Sequence, residues 1–213
     1  MKITWIGHAC FRIEAEDGRL VTDPFEAKVP YPFPSVAADI VTVSHEHHDH
    51  NAVDRISGRP AVVRGPGQHR VGTLDIAGIA SSHDASGGSQ RGPNTLFAFT
   101  LDGIRLAHLG DLGAPLDEPQ RTALRGVQVL FVPVGGTYTV DARQAAAIVR
   151  SLPDLRIVFP MHYRTEPIAD WPITPVDDFL RTMDNVRHIE SSGVVLTRAT
   201  LPETLEVWVL RHA

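Results

Sequence analysis

Apolar and polar positions alternate over short stretches in the first third of the chain, the period expected of half-buried strands. Residues 2–6 (KITWI) and 9–14 (ACFRIE) follow it, and Asp17-Gly18 offers a tight turn into a third strand over 19–22. A segment holding Pro24, Pro30, Pro32 and Pro34 comes next, where regular structure is not expected. Residues 39–44 (DIVTVS) make a β-branched run of strand length that ends directly in His45. Asn51 is placed to cap a short helix over 52–57. Further strands are predicted near 61–63, 74–81, 95–101 and 104–109, with Asp102-Gly103 as another hairpin turn and a glycine-rich loop over 86–94.

The second half changes rhythm. Asp117 before Glu118-Pro119 starts a helix towards Leu124, since proline suits the first helical turn. Residues 128–132 (QVLFV) and 156–160 (RIVFP) read as buried strands, separated by a helix over 142–150 with an apolar stripe at Ala145, Ile148 and Val149. Thr174-Pro175 opens another helix, with Asp177 and Asp178 favourably placed in its first turn. Residues 193–198 and 204–210 read as a closing hairpin. Strands that cluster early and alternate with helices late predict a layered α/β protein. No composition break marks a linker, so residues 1–213 are read as one domain.

Composition narrows the function. Of 213 residues, 43% are hydrophobic and 21% charged, a globular balance that argues against disorder. Twenty basic against twenty-five acidic residues leave a formal charge of −5, no footprint for a nucleic-acid binder. The single cysteine, Cys10, excludes an internal disulfide and any multi-cysteine zinc site. No apolar run approaches the ~20 residues of a membrane span. Arg12 and Glu14 interrupt the N-terminal apolar stretch too early for a signal peptide, so a cytoplasmic protein is expected.

Histidine usage is the informative entry, because four of eleven histidines fall within residues 45–50, in the run His45-Glu46-His47-His48-Asp49-His50. Imidazole and carboxylate are ligands that zinc and similar metals prefer. At an extended strand end residues two apart point the same way, so His45 and His47 can approach one metal together. Asp49 and His50, past the turn, can address a second. Three more strand ends carry matching chemistry: Ser82-His83-Asp84, Gly110-Asp111 and Met161-His162-Tyr163. All would gather at one sheet edge, where open α/β architectures place their sites.

The run at 45–50, then a separate His, then Gly-Asp, then a late His resembles the metallo-β-lactamase-fold hydrolases. Trp5-Ile6-Gly7-His8-Ala9, Thr22-Asp23-Pro24, His108-Leu109-Gly110-Asp111, Pro133-Val134-Gly135-Gly136 and Pro160-Met161-His162-Tyr163 resemble the branch containing L-ascorbate-6-phosphate lactonase. The resemblance runs from residue 3 to about 185. It implies a four-layer αβ/βα sandwich of two pseudo-equivalent halves, with a dinuclear metal site between the sheets. It further implies that His45, His47 and His83 bind one metal, that Asp49, His50 and His162 bind the other, and that Asp111 bridges them. Zinc is the first expectation for both ions, with manganese, iron or nickel as alternatives. Glu46 and His48 fall at variable positions of the pattern. His108, an odd number of residues from Asp111, is expected to point away from it. Asp23 either steadies a ligand imidazole or caps its loop. His8 would line the site or donate a proton, and Cys10 reads as a small buried side chain.

Such a centre would share a hydroxide between two cations, since metal binding lowers the pKa of water to about 7. Asp49 is placed to orient that nucleophile. Two divalent cations, two carboxylates and a hydroxide leave about one positive charge, which favours a substrate that is or becomes anionic. Arg91, Asn94, Tyr163 and Arg164 are the candidate substrate-binding residues, and the loops 24–35 and 86–94 the expected pocket walls. The leading expectation is a metal-dependent hydrolase of a small anionic metabolite, with lactone or phosphoester bonds ahead of amides. The rivals are a phosphodiesterase or nuclease, disfavoured by net charge, an iron-dependent oxidoreductase, and a metal binder without activity.

Overall fold

Two sheets carry most of the regular structure in the computed structural model, which describes residues 1–213. The first runs in the order Gly193–Val195, Lys2–Gly7, Cys10–Ala15, Gly18–Thr22, Ile40–Val43, Ala61–Arg64. The second runs Val186–Ile189, Glu206–Leu210, Ile157–Met161, Val129–Pro133, Ile104–His108, Pro93–Leu101, Leu74–Ser82, Gly67–Val71. Each half repeats one plan, an antiparallel meander followed by strands added in parallel; the meander has three strands in the first half and four in the second. This is the pseudo-equivalence expected of an αβ/βα sandwich.

The sheets meet face to face over an aromatic seam. Phe11 of the first sheet lies 4.4 Å from Phe131 of the second, ring centroid to centroid, and Phe159 lies 5.4 Å beyond. His108, fully buried, points into this seam and away from the site. Its Nε2–H donates to the Ala9 carbonyl at 2.9 Å, tying one sheet to the other, while its Nδ1 accepts from Gly110 N–H. Truncation of Phe131 to Ala is expected to cost about 3–5 kcal/mol, because the seam cannot collapse around the void. Denaturant unfolding checks this, and a loss under about 1 kcal/mol would contradict the packing.

The outer layers differ, and proline explains why. In the second half, the helices Glu118–Ala123 and Ala142–Arg150 form the crossovers between parallel strands. Each opens on a capping box, Asp117 with Gln120 and Asp141 with Gln144. In the first half, the crossover from Gly18–Thr22 to Ile40–Val43 passes through the four prolines, which cannot sit in a helix interior. Its apolar side chains, Phe25, Val29 and Tyr31, bury against Val21, Val41 and Val43 on the outer face of the first sheet. The loop 24–35 is therefore a packing layer, and it does not wall the cavity described below.

Three expected elements change. The helix over 52–57 is one 3-10 turn, Val53–Arg55, and the next residues, Ile56–Ser57, pair with Val36–Ala37. Asn51 does not cap it; its amide donates to the Glu46 carbonyl. The closing hairpin is absent, because Gly193–Val195 joins the first sheet and Glu206–Leu210 the second. The helix after Pro175 shrinks to a single turn, Asp177–Leu180. No helix is long and apolar enough to cross a membrane.

Candidate metal centre

Topology brings the chemistry together. Lys2–Gly7, Gly18–Thr22 and Ile40–Val43 share one direction, as do Leu74–Ser82, Ile104–His108 and Ile157–Met161 in the other sheet. Just past their ends stand His8, Asp23, His45, His83, Asp111 and His162. The two edges are sewn together there: His162 N–H donates to the His8 carbonyl, and Thr95 N–H to the Ser44 carbonyl. Three of these residues, His8, Asp23 and His162, have left-handed backbones with φ of 52°, 40° and 51°. Non-glycine residues rarely adopt that conformation, which costs on the order of 1–3 kcal/mol and clusters at functional sites.

Asp111 occupies the centre. Its Oδ2 lies 3.2 Å from His50 Nε2, 3.1 Å from His83 Nε2, 3.2 Å from His162 Nε2 and 3.9 Å from His45 Nε2. Around it, His45, His47 and His83 form one group whose ligand atoms fall within 4.8 Å of one another, and His8, Asp49, His50 and His162 form a second. The strand ends at Val43, so His45 and His47 sit in a bend instead of on one strand face. They still converge, with His45 Nε2 3.1 Å from His47 Nδ1.

A layer of hydrogen bonds aims these rings. Asp23, fully buried, accepts from Ser44 N–H at 2.8 Å, Ser44 Oγ–H at 2.6 Å and His50 Nδ1–H at 2.9 Å. Ser44 Oγ in turn accepts from His45 Nδ1–H, and the Tyr138 carbonyl accepts from His83 Nδ1–H. With those protons committed outward, the Nε2 lone pairs of His45, His50 and His83 all face Asp111. Lone pairs directed at a carboxylate repel unless a positive charge lies among them. His50 Nε2 and Asp111 Oδ1 have no hydrogen-bond partner although both are buried. A buried donor set in which three imidazole nitrogens converge on one carboxylate oxygen fits a cation.

The electrostatics of the cluster agree. Burial alone would lower His50, but Asp111, Asp49 and Asp23 overcome it and hold the imidazole well above its ordinary value. Burial and the neighbouring His50 push His45 down to about 3, and burial with His162 pushes His8 down to about 4. For Asp111, burial acts upward, yet His162 and His50 keep its carboxyl well below the usual range.

The cavity above this cluster measures about 450 Å³ and is walled by Asp49, His83, Arg91, Tyr138, Asp170 and Trp171, among others. A β-lactamase superfamily domain model matches residues 2–162. A UPF0173 metal-dependent hydrolase of Methanosarcina mazei is 32% identical over 195 residues, covering 78% of this chain and 84% of its own. A UPF0173 protein of Pyrococcus furiosus is also 32% identical, over 80% of this chain and 87% of its own.

The chain belongs to the UPF0173 metal-dependent hydrolases.

A Thermotoga maritima structure, described as a candidate Zn-dependent hydrolase of the metallo-β-lactamase superfamily, matches all of this UPF0173 chain and 99% of its own. The TM-score is 0.83 at 36% identity. The UPF0173 fold brings Arg91 to the cavity wall, its guanidinium 4.3 Å over the Tyr138 ring. It does not bring the other three candidate substrate binders there. Asn94 is buried beneath Asp111, accepting from Asp111 N–H and donating to the Leu109 carbonyl, so it sets the loop that carries Asp111. Gly110 makes that approach feasible: at φ +52°, any β-carbon would fall 2.5 Å from Ser44 Cβ and Asn94 Oδ1. Tyr163 packs into the core, 5.3 Å from Trp5, because the chain turns over at His162. Arg164 is exposed, and its N–H is held by the Thr174 carbonyl away from the cavity.

Sequence reasoning missed Trp171 and Tyr138 as walls of the UPF0173 cavity. Trp171 stands in a proline-flanked segment that Ile168 and Ile173 pin to the outer apolar cluster, and its ring lies 5.3 Å from His8. An aromatic in such a loop was the one available signal. His8 itself is fully buried behind Asp49, 3.3 Å from Asp49 Oδ2, and does not line the cavity.

Proposed function

We propose that this hydrolase holds two divalent cations, zinc by preference, and cleaves a lactone or phosphoester bond in a small anionic metabolite. His45, His47 and His83 would hold one cation, Asp49, His50 and His162 the other, with Asp111 reaching both. The convergence of three imidazole nitrogens on a single Asp111 oxygen within 3.1–3.2 Å is the observation that carries this reading. When bound, such a pair supplies Lewis acidity and lowers the pKa of water to about 7.

The protein's own groups then have distinct tasks. Asp49, partly open to the cavity, orients the attacking water. His8, neutral at pH 7 because its value is depressed to about 4, donates its Nε2–H to Asp49 and fixes that carboxylate. That placement favours positioning over proton donation to a leaving group. Arg91 is the cavity's one cationic side chain and would meet the substrate's negative charge. Trp171 and Pro172 add apolar wall to the same cavity and exclude water from it. The preference for lactone and phosphoester bonds rests on the resemblance to the L-ascorbate-6-phosphate lactonase branch and on that guanidinium.

A turnover screen decides among bond types. Zinc-, manganese- and iron-loaded protein would be offered lactones, phosphate mono- and diesters, thioesters and amides. Chelator-sensitive hydrolysis of a lactone or phosphoester is expected; metal-replete protein that hydrolyses none of them would overturn the reading.

Proton linkage gives an independent check. His50, raised above 6.5, stabilises the metal-free fold below that pH and loses its contribution as pH rises through its folded value. His45 and His8, depressed, contribute fully above 6.5 and lose that contribution as pH falls towards 3 and 4. A cation and the His50 proton compete for one place. Zinc added at pH 7.5 in weak buffer should therefore release on the order of one proton per chain, and metal should be lost as pH falls towards 5. Full occupancy at pH 4.5 would contradict the ligand set.

A further inference from the structure

A second hollow of about 490 Å³ opens beside the metal cavity, and the two share His47 and Arg91 as walls. Its other walls include Glu46, Arg64, Pro66 and Thr95. Two guanidinium groups therefore face it against one carboxylate, in a chain whose formal charge is −5. Arg64 Nη1 donates to Glu46 Oε1 at 2.7 Å, an exposed pair with most of the Arg64 donors left over. Exposed ion pairs of this kind contribute only about 0–1 kcal/mol, so an incoming anion meets little competition.

Arg91, by contrast, is held in place. Asp84, just after His83, accepts backbone N–H bonds from Ser86, Gly88, Gln90 and Arg91 at 2.8–3.0 Å, which gathers the glycine-rich loop around one carboxylate. Tyr138 supports the guanidinium from the other side at 4.3 Å. Arg91 makes no ion pair of its own. A cation anchored at both ends and standing between two hollows is built to contact a molecule that passes from one to the other.

We propose that the second hollow is a substrate subsite, which takes an arm ending in a carboxylate or phosphate and clamps it between Arg64 and Arg91. This rests on the proposed hydrolytic reading of the adjoining cavity. The substrate class it defines is a two-armed metabolite, with the scissile bond at the metal cluster and a terminal anion several bonds away. Arg64 becomes the residue that selects for that terminal charge, and Asp84 positions Arg91 through the loop backbone.

The test is calorimetric titration of zinc-loaded protein with dicarboxylates of three to eight carbons, each against the monocarboxylate of equal length. One carboxylate serves the metal end, as a hydrolysis product would, and the other can reach the arginines. At one chain length the dicarboxylate should bind about tenfold tighter than its partner, the worth of a charge-assisted hydrogen bond. Arg64→Ala should erase that difference while monocarboxylate affinity and zinc content stay unchanged, and Arg64→Lys should restore part of it. Equal affinities at every length, or a difference that survives Arg64→Ala, overturns the subsite. A screen that finds no hydrolysis sinks the functional reading instead, and leaves this binding comparison standing on its own result.

Discussion

Replacing Asp111 with Ala is expected to cut turnover roughly a thousand-fold and to strip metal, while the fold survives. The side chain is buried and lies 3.1–3.9 Å from His45, His50, His83 and His162, which belong to both groups, so no neighbour can take its place. Charge stabilisation by a bound cation is worth several kcal/mol, and each 1.36 kcal/mol is a decade in rate. Asp111→Asn separates charge from shape, because it keeps the volume and the backbone hydrogen bond from Asp111 N–H to Asn94. Both variants should fail alike if charge is what matters. Purified Asp111→Ala with unchanged turnover and metal content would place the bridge elsewhere.

Asp23→Asn is expected to weaken metal binding by about 10–100-fold without touching a ligand. The carboxylate accepts three hydrogen bonds, from Ser44 N–H, Ser44 Oγ–H and His50 Nδ1–H. An amide replaces one acceptor oxygen with an NH2 donor, so either Ser44 N–H or the Ser44 Oγ–H and His50 Nδ1–H pair loses its partner. The anchoring of His50, and of His45 through Ser44, then loosens. Asparagine tolerates the left-handed backbone found here, φ 40°, so the effect would not come from chain strain. Asp23→Ala adds that strain and should unfold at a lower temperature as well. Competition titration against a zinc chelator reads the affinity. An Asp23→Asn protein with wild-type affinity would reduce Asp23 to a loop cap, the other role its position allowed.

The legible parts of this fold were those with a local cause. Asp117 and Asp141 cap the helices that follow them, and Asp102-Gly103 closes its hairpin with both residues at positive φ, 49° and 73°. The convergence of His45, His83, Asp111 and His162 was legible because each stands just past an apolar run, and strands that share one direction bring those ends to one edge. Non-local outcomes were not legible. Gly193–Val195 and Glu206–Leu210 look like hairpin partners in sequence, yet each finds a better-matched partner in a different sheet. The strand Gly67–Val71 is polar and mostly exposed at a sheet edge, so it carries no hydrophobic period to read. Asn94 looked like a loop residue free to meet substrate, but burial depends on Leu109 and Asp111 arriving from another strand. The proline-rich segment shows the converse: its lack of helix was evident, while its role as an apolar lid for the outer sheet face required the partner surface.

Anomalous diffraction at the zinc absorption edge tests the central claim most directly. Crystals of zinc-loaded protein should show two peaks, one about 2.0–2.1 Å from nitrogens of His45, His47 and His83, the other bonded to Asp49, His50 and His162, with Asp111 touching both. A map with no peak among these seven side chains, or with metal bound only elsewhere on the surface, would contradict the account.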